Sequence, residues 1–237
     1  MLEQVDIIGF GAHPDDVEIG CGGLLAKEVE LGYKAGIVDL TRGEMSTNGT
    51  VEERSQEAEA AARILGAQWR LNLEVPDGHI EMSDEYLERV VRVLRNYRPR
   101  LIVVPYWEDR HPDHMAASQL ITKAHFLAGL RTFCPDLEPY RPAEILYYFL
   151  NYEREPSFLV DITTQYEKKR ESILAHQSQF GRKNEMLPTI LNNSFPYMIE
   201  SRDRHNGAKI KTLFAEGFVT RNTLAVVDPL AMWEGKA

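Results

Sequence analysis

Only two cysteines, Cys21 and Cys134, occur among the 237 residues. They cannot build a disulfide scaffold, they are not spaced as a zinc pair, and both read as small buried thiols. Long apolar runs are also missing. The longest are strand-length, and the opening Met1-Leu2-Glu3-Gln4 lacks a basic region followed by an apolar one. Neither a membrane span nor a signal peptide is therefore visible, and a cytoplasmic location is expected. Basic charge is in deficit, with 27 Lys and Arg against 36 Asp and Glu and a formal charge of -9. Affinity for nucleic acid comes mainly from clustered Lys and Arg, which argues against that partner and for a small molecule. No internal repeat, low-complexity tract or linker is present.

What remains is an ordinary soluble composition, 43% hydrophobic and 27% charged, in a length that suits one α/β domain. Short apolar strands alternate with helical patterns. After a first strand at 5–8 and a helix-like 24–31 come strand 34–40, helix 51–65, strand 69–73, a helix opened by Ser83 and Asp84, and strand 101–105. A helix at 115–127, a fifth strand at 144–149, a short strand at 158–161 and a helix at 165–176 follow. Beyond Ser178 the pattern weakens, leaving a helix around 197–205 and a strand at 218–219. Repeated strand-helix units with continuous apolar strands predict a Rossmann-like, mostly parallel sheet with helices on both faces. Residues 1–150 form the core of this single domain, and 151–237 a loop-rich C-terminal cap that packs on it or joins an oligomer contact.

Two acid-and-histidine clusters stand out. His13, Asp15 and Asp16 leave strand 1; Asp109, His111, Asp113 and His114 follow strand 4. In a sheet of order 3-2-1-4-5 those strands are neighbours and a crevice opens at their carboxyl ends. Two imidazoles and one carboxylate facing a shared point form a catalytic zinc or iron set with a position left for water. His13, one of Asp15 and Asp16, and His114 are the expected ligands; spacing does not choose between the two acids. The spare Asp would act as base, and His111, held cationic by Asp113, would stabilise developing charge or protonate an amine. A lone His13 would read as a core histidine, and Asp15-Asp16 as helix caps; the second cluster decides for the ligand reading. His79, His125, His176 and His205 are read as structural, and Tyr106-Trp107 either as a wall of the site or as surface packing.

Ala12-His13-Pro14-Asp15-Asp16 with Gly22-Gly23, and His111-Pro112-Asp113-His114, resemble the LmbE-like or PIG-L family of N-acetylglucosaminyl deacetylases, and within it the bacillithiol-pathway enzymes. The resemblance implies that His13, Asp16 and His114 hold Zn²⁺, with Fe²⁺ as the alternative metal, and that Asp15 is the general base. It makes His111 the transition-state stabiliser or general acid, oriented by Asp113, and Arg54 and Asp77 sugar-binding residues. Mycothiol-pathway relatives have a Tyr two places before the first His of the second motif, where Asp109 stands here. Tyr197 is the candidate substitute. The implied substrate is N-acetylglucosaminyl malate, with Arg42, Arg54, Arg110 or Arg182 as counterions for malate. Another small N-acetyl sugar, a chitooligosaccharide or a glucosaminyl-inositol, is the alternative. Some relatives form hexamers, which implies a homo-oligomer.

A dinucleotide-binding module is the rival class, because Gly9 and Gly11 open the first turn and Asp39 ends strand 2. Pro14 occupies the place of the third fingerprint glycine and argues against it. A metal-free interaction protein explains neither cluster, and a two-metal phosphoesterase needs more ligands than these motifs supply.

Overall fold

The computed structural model describes residues 3–181, 186–226 and 228. Arg182 lies outside the described residues. Strands β1 (Ile7–Gly11), β2 (Ala35–Asp39), β3 (Trp69–Asn72), β4 (Leu101–Pro105) and β5 (Glu144–Tyr148) alternate with helices α1 (Asp16–Glu30), α2 (Val51–Leu65), α3 (Asp84–Tyr97) and α4 (Pro112–Ala128). The remainder supplies β6 (Phe158–Asp161), α5 (Tyr166–Ala175), α6 (Gln177–Phe180), α7 (Phe195–Lys209) and β7 (Ala215–Val219). All seven strands lie in one sheet of order β3-β2-β1-β4-β5-β7-β6, the predicted 3-2-1-4-5 order with two strands added. The pairs from β3 to β5 are parallel, and β7 alone runs antiparallel to its neighbours.

Side chains alternate across each strand, so both sheet faces are buried. Ile8, Phe10 and Val104 pack with Val90, Leu94 and Ile121 of α3 and α4. Ile7, Val103 and Tyr148 pack on the other face with Val17, Leu25 and Ile173 of α1 and α5. The local signals set most boundaries: Thr50 and Glu53 form a reciprocal capping box at the start of α2, and Gly66 closes it in the left-handed region. Ser83 accepts the Tyr86 N–H at the start of α3.

Helix α1 begins eight residues before the predicted 24–31. Its first half runs through the small residues 20–23, with one non-helical residue, Cys21, at φ -146°. Gly20 lets the helix approach the sheet, because a Cβ there would run into the Tyr148 ring. The second half has its own cap: Glu216 of β7 accepts the Gly23 and Leu24 N–H groups at 2.8 and 2.7 Å. Lys169 of α5, fully buried, pairs with Glu216 at 2.8 Å and with Asp203 of α7 at 2.6 Å. The C-terminal segment is thus tied into the core by buried charge as well as by two strands. No helix among the described residues is long and apolar enough to cross a membrane.

Candidate metal centre and active site

Because β1 and β4 pair in parallel, from Ile7 opposite Leu101 to Gly9 opposite Val103, the loops that leave them emerge side by side. The first carries His13 to Asp16, and the second leads into α4 with His111 as its N-cap and Pro112, Asp113 and His114 in its first turn. Both clusters line one cleft of about 410 Å³, with Asp77 and Gly78 from the β3–α3 loop and Asn151 after β5. The opposite walls come from Met45 to Thr47 and from Gln179 and Thr189 to Leu191.

Asp16 begins α1 and folds back on the turn: its Oδ2 accepts the Ala12 and His13 N–H groups at 2.9 and 3.0 Å. Its Oδ1 lies 3.3 Å from His114 Nε2, and its Oδ2 lies 3.6 Å from His13 Nδ1. Donors bound tetrahedrally at about 2.0–2.1 Å from a zinc ion would stand roughly 3.4 Å apart, so the set fits a small divalent cation. His13, Asp16 and His114 have ligand atoms within 4.8 Å of one another.

The far nitrogens are also engaged. His13 Nε2 faces Asp77 Oδ1 at 3.1 Å and Asp113 Oδ2 at 3.3 Å, and His114 Nδ1 faces Asp109 Oδ1 at 3.0 Å. A carboxylate on the outer nitrogen fixes the ring and its tautomer for a metal on the inner one. The electrostatics agree. Burial disfavours the charged His13 and His114, yet the surrounding carboxylates raise both, His114 to about 9. Protons on these imidazoles thereby offset the buried acids, and a bound cation would displace them. Burial would likewise raise Asp16, but His114 and His13 bring it well below the usual range.

Asp15 behaves differently from its neighbour. It sits at φ 125°, a strained conformation for a side-chain-bearing residue, and makes no capping bond. Burial, against the Arg54 charge and with that of Asp16, lifts its carboxyl to about 6. Arg54 is itself buried. Its fork donates to the carbonyls of Pro14 at 2.7 Å and Gly43 at 3.0 Å, and one nitrogen lies 3.6 Å from Asp15.

Several expected contacts are different in the fold. The Asp113 carboxylate does not hold His111. It accepts the Gly78 N–H at 2.8 Å and meets His13, while only the Asp113 backbone N–H reaches His111, donating to Nδ1 at 3.3 Å. An N-cap acceptor must be unprotonated at that nitrogen, so His111 carries its hydrogen on Nε2. It is not held cationic, because burial and the charges of His114 and His13 lower its pKa. Tyr197 does not reach the cleft. It is 60% exposed and lines a separate depression with Lys169 and Glu200, because Phe195 and Ile199, four apart on α7, take the buried face. Asp77 lines the cleft, but its carboxylate is taken by His13 and the Met45 N–H at 2.9 Å. Tyr106 and Trp107 pack against each other, Tyr106 against Phe149 and Trp107 edge-on to Tyr147, with Arg221 over the Trp107 ring. Asp39 is buried and gives both oxygens to Arg70, which ties the acid at the end of β2 to an internal ion pair.

Asp109 as the partner of His114, and Asn151 as the partner of Asp109, are not marked by the sequence motifs; nor is the fully buried His176, which lies 3.4 Å from Glu18. Only the position of Asp109, five residues before His114, offered a signal.

The family model described as PIG-L, GlcNAc-PI de-N-acetylase, matches residues 8–125 and so spans both clusters. Diacetylchitobiose deacetylase of Thermococcus kodakarensis is 32% identical over 183 residues, 71% of this chain and 67% of that one. The chain belongs to the PIG-L family. Among solved structures, a conserved protein of Thermus thermophilus superposes on this PIG-L chain with a TM-score of 0.88 at 38% identity, covering 95% of this chain and 99% of that one. A third relative, 4-oxalmesaconate hydratase of Pseudomonas putida, is 28% identical over 194 residues, 72% of each chain. PIG-L membership places the protein in a deacetylase family, and the hydratase marks a second chemistry among its relatives.

Proposed function

We propose that the protein is a metal-dependent N-deacetylase that hydrolyses the acetamide of an N-acetylglucosamine derivative. N-acetylglucosaminyl malate is the leading substrate and diacetylchitobiose the second. The observation that carries the reading is the convergence of His13, Asp16 and His114 donor atoms on one point beside Asp15, an acid with no ligand duty. Zn²⁺ suits this nitrogen and oxygen set, and Fe²⁺ is the alternative.

A cation held there supplies Lewis-acid activation of water and of the acetyl carbonyl. Asp15, lifted by burial to about 6, is suited to take the proton from the attacking water near neutral pH. His111, with Nδ1 occupied by the Asp113 N–H, offers Nε2–H to the oxyanion as it forms. Arg54 ties the backbone just before Asp15 to the β2–α2 loop through the Pro14 and Gly43 carbonyls. Arg110 lines the cleft and is exposed. Its Nε donates to Asn151 Oδ1 at 3.1 Å, which leaves the terminal nitrogens for a carboxylate of malate. Arg42 lines a different depression.

Hydration of an unsaturated acid is the second reading, favoured by the hydratase relative. An acetate-release assay on N-acetylglucosaminyl malate, diacetylchitobiose and free N-acetylglucosamine separates the two, because hydration releases no acetate. Activity should vanish on chelation and in His114→Ala. Full turnover after metal removal would sink the metal mechanism, and no acetate from any of the three would sink the deacetylase reading.

A further inference from the structure

Asp109 is buried at 7% exposure and accepts four hydrogen bonds. Its Oδ1 takes the His111 N–H at 2.8 Å, the Asn151 Nδ2–H at 2.8 Å and His114 Nδ1 at 3.0 Å. Its Oδ2 takes the Asn151 backbone N–H at 3.0 Å. Two of the four therefore come from one residue forty-two positions away, beyond the end of β5. The other two come from His111, which ends the β4–α4 connection that Asp109 belongs to, and from His114 in the first turn of α4. A carboxylate held only by its own loop would move with that loop. Clamped by Asn151, it is tied also to the segment that leaves β5, and so is the ring it orients. The third polar group of Asn151, Oδ1, accepts the Arg110 Nε–H at 3.1 Å, so the amide is held at both ends in one orientation.

We propose that Asn151 is a positioning residue for the metal centre: by clamping Asp109 from the segment that follows β5 it holds the His114 Nδ1–H in place and presents Nε2 to the cation. The inference rests on the metal reading given above and goes beyond it. Nothing in either histidine motif encodes it, since Asn151 enters the site only because β5 lies beside β4. Partners that orient a metal-bound histidine are worth about 10–100-fold in metal affinity or activity when they are lost.

The test is Zn²⁺ affinity, measured by competition with a chromophoric chelator on the metal-stripped full chain, alongside its thermal midpoint. Asn151→Asp keeps the backbone N–H and the oxygen that faces Arg110 but replaces the Nδ2 donor. Asn151→Ala removes the side chain. Both are expected to weaken Zn²⁺ binding by about tenfold or more while stoichiometry at saturation stays at one per chain. Asp109→Asn should weaken it at least as much. Adding Asn151→Ala to Asp109→Asn should cost little further, because the two act through one group. A lowered thermal midpoint with unchanged Zn²⁺ affinity in both Asn151 variants would overturn the proposal, and so would additive losses in the double variant. If the unaltered chain binds no stoichiometric Zn²⁺, or His114→Ala binds it equally well, the metal reading itself has failed. Those results cannot be confused with the first two.

Discussion

The Asp113 carboxylate lies against His13, not against His111: Oδ2 is 3.3 Å from His13 Nε2. Asp113→Ala is therefore expected to weaken Zn²⁺ affinity by about 10–100-fold, measured by chelator competition. A residue that served only His111 would lower kcat and leave metal affinity where it was.

Asp15 and Asp16 are adjacent and buried, yet only Asp16 is committed to backbone amides. Asp15→Asn should retain near-normal metal content and slow acetate release by on the order of a hundredfold or more. Loss of metal in that variant would exchange the two roles.

The strain at Asp15 predicts an opposite effect on stability. Asp15→Gly should abolish activity and raise the thermal midpoint, because glycine accepts φ 125° without the cost of roughly 1–3 kcal/mol that such a conformation imposes on other residues. A lowered midpoint in scanning calorimetry would contradict it.

Glu18, fully buried in α1, is pushed up by burial and brought down further by the Arg70 charge and by His176, to about 2 from an ordinary 4.5. A carboxyl depressed on folding stabilises the fold above its unfolded pKa and loses that contribution as pH falls through the folded one. The contribution, on the order of 3 kcal/mol, should decline from about pH 4.5 toward pH 2. Thermal midpoints across that range should fall more steeply for the unaltered chain than for Glu18→Gln. Parallel curves would count against it.

Tyr197→Phe should leave kcat/KM within about twofold, as expected of an exposed position outside the cleft. A loss of tenfold or more in steady-state assays would return Tyr197 to the oxyanion.

The sheet order from β3 to β5, and the meeting of the two histidine clusters, were legible because each rests on a local pattern: short apolar strands, capping residues, and motifs at strand ends. The first half of α1 was not, since Gly20, Gly22 and Gly23 read as a loop in isolation. In the fold they are a helix packed so closely that a Cβ at Gly20 would meet Tyr148 and one at Gly23 would meet Ile162. The division of labour among the acids was equally hidden. Whether Asp113 faces His111 or His13 depends on where the β3–α3 loop brings Gly78, and the contact between Asn151 and Asp109 depends on sheet order. The expected helix around 197–205 is present, but its facing was hidden: it begins at Phe195 and gives its buried face to Phe195 and Ile199, which leaves Tyr197 exposed outside the cleft.

Strand β7 sits between β5 and β6, and β6 has no other sheet neighbour. Asp161 therefore waits for Ala215, its register partner, before it can join the sheet. The chain from 162 to 214, which carries Gln179 and Thr189 to Leu191 of the cleft wall, must be closed as a single long loop. During synthesis the parallel strands and both histidine clusters emerge well before that closure. The residues of the cleft floor are consequently all synthesised before those of its outer wall.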